Sequence, residues 1–310
     1  MVLLYRTVVV SGTAEGVEGV SAGLAAISLF MQDCGWDLID DRSAEPGTNV
    51  AATHMKYVFS SNGEESNYPT FYYTLFSGTG TAVNSNIISM MGHTAYDVGT
   101  HDVPISGAKT TTATPLPKTQ LQLSIRSQDD NIELFMSGDS EMIHIITARV
   151  ITNNSSLTMN NAYFGRINSF LSLEDNPYPL IVVGSNSNTI ITTAAGSNTA
   201  SIGGNPPLSL ADTSEMSVLD TAISDISRPY NLGDFTSVFF AQPMLVFYNS
   251  TTPPVRGIAG TVRNGWVGAD GTYMLNKTIL TASGSFGEQK YQAFRPEANA
   301  TIKSIILRKS

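Results

Sequence analysis

The sequence predicts a mainly β protein, a β-sandwich or set of antiparallel sheets, with one N-terminal amphipathic helix packed on a sheet. Three observations carry that expectation. Short runs of alternating or aromatic and β-branched residues recur through the 310 residues, punctuated by Gly, Pro, Asn and Ser. A single segment near the start has apolar residues at three- and four-residue steps. After it, no alternation of strands and helices follows, so no parallel sheet is expected.

The first strand is residues 4 to 10, LYRTVVV. The helix follows over residues 14 to 34, opening on a capping Ser or Thr with acidic residues in its first turn. Its stripe is Val17, Val20, Leu24, Ile27, Phe30 and Met31, and Gly35 is placed to end it as a C′ glycine. "WDLIDD" alternates as a strand. Two further strands, Tyr57 to Ser60 and Thr70 to Phe76, are joined by a polar loop opening on Ser-Asn-Gly. In the second, Phe71, Tyr73 and Leu75 face one way and Thr70, Tyr72 and Thr74 the other. A strand so rich in large rings must be covered on both faces or it aggregates. The helix can cover one face; the other must meet the rest of the chain or another subunit.

From residue 119 the pattern is almost entirely β. "QLQLSIRS" alternates, and "IELFMSGDSEMIHIITARVI" reads as a hairpin turning at Ser137-Gly138-Asp139-Ser140. "AYFGRINSFL" and "PLIVVG" continue the series. Residues 184 to 217 are rich in Ser, Asn, Thr, Gly and Pro and read as a long loop or insertion, of the kind that forms interfaces. The last third, "FTSVFFAQPMLVFYN", "VRGIAGTV", "TYMLNKTIL", "KYQAFR" and "TIKSIILR", returns to strands. The expected organisation is a helix-plus-meander domain over 1–112 and a β-rich domain over 113–310, with one continuous domain as the alternative.

Charged residues are 14% of the chain, where about 25% is usual. Hydroxyls and amides fill the gap, a composition suited to broad contacts between subunits and also found in lectin-like sandwiches. Net charge is −9, and the 17 Lys and Arg are spread thinly, which argues against nucleic acid as a partner. The basic cluster Lys303, Arg308 and Lys309 reads as a solvated tail. Cys34 is the only cysteine, so no intramolecular disulfide and no cysteine-based zinc site forms, and it reads as a small buried thiol. No window reaches bilayer length and no leader pattern opens the chain; the expectation is synthesis in a cytoplasm and assembly there.

No catalytic, metal or cofactor site is expected. Gly12, Gly16 and Gly19 loosely resemble a dinucleotide turn, but the spacing is wrong and Glu15 and Glu18 would repel phosphate. His93 and His101, with Asp97 and Asp102, match no metal-ligand spacing; they and His54 read as structural loop histidines, and His144 as a strand residue. Asp40-Asp41, Glu64-Glu65 and Asp129-Asp130 are acidic pairs whose separation across a cleft sequence does not give. The aromatics around residues 57–73 and 235–248 fit strand packing better than a sugar platform. The loop between the aromatic strands is the candidate inter-subunit contact, through Asn62, Gly63, Glu64, Glu65 and Asn67.

The helix ending "CGW", the strand "WDLIDD" and "YVFSSNGEESNYPTFYYTLF" together resemble a pattern in structural proteins of tailed-bacteriophage virions. "IELFMSGDSEMIHIITARV" with "AYFGRINSF" is similar to their mid-chain hairpin and Gly-Arg turn, and "VRGIAGTVRN" and "KYQAFRP" are similar to their late segments. The resemblance implies a non-enzymatic tail, neck or baseplate component in the virion. Its partners would be copies of itself and other virion proteins, without nucleic acid, membrane span or cofactor. It assigns no catalytic residue. The alternative is a carbohydrate-binding or host-receptor-binding β-sandwich module, and a third reading is a hydrolase with unpaired carboxylates.

Overall fold

A computed structural model describes residues 2–10, 17–42, 56–61, 70–77, 87–101, 121–124, 132–149, 159–172, 180–184, 198–201, 208–210, 241–251, 254–268, 279–284, 287–294 and 304–309. The described residues form two antiparallel sheets and one helix, a sandwich-like all-β fold in which every strand pairing is antiparallel.

The first strand, β1 (Leu4–Val10), is followed by α1 (Val17–Asp33). Leu24, Ile27, Phe30 and Met31 of the expected stripe are buried in the core; the start of the helix and the side chains of Val17 and Val20 lie outside the described residues. The helix ends as its glycine dictates. Gly35 has φ 93°, its N–H reaches the carbonyl of Gln32 at 2.9 Å, and the N–H of Trp36 reaches Met31 at 3.0 Å. That pair of bonds is a Schellman cap, and Trp36 and Met31 pack in the same core as its apolar contact.

The smaller sheet runs in sequence order through β2 (Asp37–Asp41), β3 (Lys56–Ser61), β4 (Phe71–Ser77), β5 (Ile87–His93) and β6 (Leu121–Ser124). On its inner face Tyr57, Phe59, Phe71, Tyr73, Leu75, Ile88 and Met90 join the helix stripe in one core. The facing assignment for β4 holds: Trp36 meets Phe71 and Tyr73 edge-on at 5.5 and 5.6 Å, while Thr74 and Phe76 point the other way and are buried there too.

The larger sheet is curled. Its path is β1, β7 (Ile132–Asp139), β8 (Met142–Arg149), β9 (Met159–Ser169), β14 (Pro254–Gly268), β17 (Ser304–Arg308), β16 (Gly287–Phe294) and β15 (Ile279–Gly284). β10 (Leu180–Gly184) and β11 (Asn198–Ser201) branch from β9, and β12 (Leu208–Leu210) and β13 (Ala241–Thr251) from β14. The half carrying β1, β7 and β8 folds back over β16 and β17. Tyr5 hydroxyl donates to Gln292, Phe135 stacks edge-on to Phe294 at 4.8 Å, and Ser137 Oγ donates to the Arg308 carbonyl at 2.9 Å.

Alternation along β8 therefore feeds two cores. Ile143 and Ile145 face the helix and smaller sheet, whereas Met142, Ile146 and Ala148 face β14, β16 and β17. Strands buried on both faces are why the mid-chain hairpin is nearly continuous in apolar residues.

Three local readings change. The mid-chain hairpin turns at Ser140-Glu141, later than expected, because Asp139 Oδ1 accepts the N–H groups of Glu141 (2.9 Å) and Met142 (3.1 Å) and so closes the turn itself. Gly165-Arg166 is not a turn but lies inside β9. The 184–217 stretch is not wholly loop: β11 and β12 fall within it, paired to β10 and β13. Strands of four and three residues carry too little periodicity to be seen without the ladder that accepts them. The starts of "FTSVFFAQPMLVFYN" and "TYMLNKTIL" lie outside the described residues. Pairing and packing cross the 112/113 position: β1 joins β7, β5 joins β6, and one core holds residues from both sides. No helix among the described residues is long and apolar enough to cross a membrane.

Candidate functional site

Asn62, Gly63, Glu64, Glu65 and Asn67 lie outside the described residues, and so do His54, Asp102, Glu64-Glu65 and Asp129-Asp130 as acidic pairs, Gly12 and Gly16. The described base of the contact loop is Ser61, whose Oγ donates to the carbonyl of Ser140 at 2.5 Å. The chain therefore leaves β3 beside the β7–β8 turn, where four charged side chains meet.

Asp139 ends β7 and Glu141 sits in the turn. Arg166 of β9 approaches Glu141 at 3.3 Å from the helix side, with its guanidinium 4.9 Å over the Phe71 ring. Arg263 of β14 arrives from the opposite core, paired with Glu141 and 3.3 Å from Asp139. Two carboxylates thus meet two guanidinium groups, one from each face of the hairpin. The backbone is stitched in as well: the Arg166 N–H reaches the Glu141 carbonyl at 3.0 Å, Trp36 Nε1 donates to the Asp139 carbonyl at 2.7 Å, and Tyr163 hydroxyl donates to the Arg166 carbonyl. Burial pushes the Asp139 carboxyl above its ordinary range, and Arg263 pulls it part of the way back. Two backbone N–H groups on Oδ1 and a guanidinium beside Oδ2 fix the Asp139 carboxyl in one orientation.

Sequence reasoning missed this cluster, since its members sit on three separated strands. The only local signal was "FGR", where Gly165 takes φ 134° so that the backbone of β9 can pass under the turn.

The histidines separate by environment. His93 ends β5, fully buried, with Nε2 2.6 Å from Thr74 Oγ1 and its ring stacked on Tyr96. His101, at φ 58°, places Nδ1 3.0 Å from Asp40 Oδ2, which also accepts the Tyr96 hydroxyl at 2.5 Å. Asp97 does not join them; its Oδ1 accepts the N–H groups of Gly99 (2.8 Å) and Thr100 (3.4 Å) in a local turn. The structure thus brings His101 to Asp40, not to Asp97, and among the described residues no group of three metal-ligating side chains converges. Gly19 lies within α1, and β1 and β2 on either side of that helix belong to different antiparallel sheets, so the dinucleotide-binding arrangement is absent there.

Cys34 is buried at the helix end. Burial pushes its thiol up to about 12, with Asp139 and Asp33 adding to the effect. No protein-family model matches the chain, and no curated protein matches it either.

Proposed function

We propose that the chain is a non-enzymatic structural component of a tailed-bacteriophage virion, a tail, neck or baseplate subunit assembled in the host cytoplasm with copies of itself and neighbouring virion proteins. The observation that carries the reading is how the chemically capable side chains are used. Asp139 and Glu141 are each faced by a guanidinium, Asp40 is shared between His101 and Tyr96, and the aromatic cluster Trp36, Phe71 and Tyr73 is packed inward rather than offered to a ligand. Residues committed this way give rigidity. A hydroxyl- and amide-rich exterior then supplies the wet, broad contacts of a subunit interface. The resemblance of the helix-to-aromatic-strand segment to phage structural proteins gives the reading its address.

The 62–67 loop is the proposed contact, held at its root by the Ser61–Ser140 bond beside the ion network. Replacing residues 62–67 with a short Gly-Ser linker is expected to leave the subunit folded and to lower its incorporation into particles, read by mass in solution and by electron microscopy. Normal incorporation would reduce the loop to a solvated connection. A reproducible micromolar glycan ligand would favour receptor binding over assembly.

A further inference from the structure

His144 lies within β8, fully buried, with no hydrogen-bond partner at either ring nitrogen among the described residues. Buried polar atoms are nearly always paired, and a position that needed only packing would be served by Phe or Leu. The surroundings explain the isolation. Ser137, opposite on β7, spends its hydroxyl on the Arg308 carbonyl. Tyr163, opposite on β9, meets the imidazole edge-on at 5.7 Å and gives its own proton to the Arg166 carbonyl. Gly265 of β14 comes so close that a Cβ there would lie 3.4 Å from Nδ1. The ring points to the same side as Met142 and Ile146, into the core between the two halves of the curled sheet.

The ionisable groups on the elements around it are Glu133 and Asp139 on β7, Glu141 in the turn, Arg149 on β8 itself, Tyr163 and Arg166 on β9, Arg256 and Arg263 on β14 and Arg308 on β17. Asp139 and Glu141 are already engaged by Arg166 and Arg263. An imidazolium at this position would have a proton on each nitrogen and no acceptor for either.

We propose that His144 makes the packing of the two halves of the large sheet acid-sensitive: on mild acidification the ring takes up a proton by leaving its dry site, and β8 parts from β14. Burial pushes the packed ring down to about 3, whereas a solvated ring keeps the ordinary 6.5. Above 6.5 the ring is neutral in both forms and has no effect. Below it the opened form binds a proton that the packed form does not, so packing weakens as pH falls, until about 3. At about pH 5 that difference raises the ratio of opened to packed molecules about thirtyfold over its value near pH 7.5. The switch is independent of what the chain assembles with.

The test is the unfolding constant of wild type and His144→Phe at about pH 7.5 and about pH 5, measured by denaturant titration. All other ionisable groups are the same in both proteins and cancel in the comparison. Wild type is expected to lose about thirtyfold more than the variant across that interval; equal losses would overturn the proposal. Nitrogen-15 imidazole spectra of wild type provide a second readout should the variant fail to fold. A ring that stays neutral until tertiary signals collapse supports the switch, and one that titrates near its ordinary value inside an intact fold refutes it.

Discussion

Gly165→Ala tests whether the hairpin clamp is what holds the two cores together. At φ 134° an L side chain is strained wherever it is placed, which costs about 1–3 kcal/mol. The added Cβ would also lie 2.5 Å from Met142 Cα and 2.7 Å from Met142 Cβ, and closer still to the Glu141 carbonyl oxygen. Backbone cannot rotate away as a side chain can, so the turn must lift, adding an overpacking cost of about 1–3 kcal/mol. Lifting it stretches the bond from the Arg166 N–H to Glu141, worth about 1 kcal/mol. The sum is about 3–7 kcal/mol, before any loss from pulling Glu141 off its two arginines. Gly265→Ala is the control. There the new methyl meets only side-chain atoms of Val262, Met244 and His144 at 3.2–3.4 Å, and the variant is expected within about 1 kcal/mol of wild type. In urea, with a slope near 3 kcal/mol/M, the Gly165 variant's midpoint should fall by about 1 M or more. A midpoint shift no larger than that of the control would show that the close passage of β9 under the turn is not a constraint, and the clamp argument would fail.

Leu24→Asp places a carboxylate where α1 packs into the core, and several kcal/mol of stability should be lost; an unchanged melting temperature would mean the helix is not docked through that residue. Cys34, buried and with its thiol pushed up to about 12, should resist iodoacetamide at about pH 8 in the folded protein and react fully in denaturant; prompt alkylation of native protein would contradict the packed helix end.

Local pattern determined a good deal here. The helix stripe, the terminating glycine and the alternation of β4 are decided within a few residues, because side-chain period and cap geometry are properties of adjacent backbone. Leu24, Ile27 and Phe30 were legible as the helix's packing stripe, and Phe71, Tyr73 and Leu75 as one shared face of a strand that needs cover, for that reason; the structure buries all of them. The all-β class followed from the same repetition.

What only the tertiary structure decided is which of these pieces meet. β1 pairs with β7 across the helix and the smaller sheet, a choice no window of sequence encodes, since any apolar strand edge presents the same backbone donors and acceptors. β11 and β12 became strands because an existing ladder was there to receive them. The clamp on the β7–β8 turn is the sharpest instance. Glu141 is an ordinary turn residue by sequence, and its two arginines stand on β9 and β14, far away along the chain. Coulomb attraction and desolvation act through space and depend on burial, and burial is set only when both cores have closed around the hairpin.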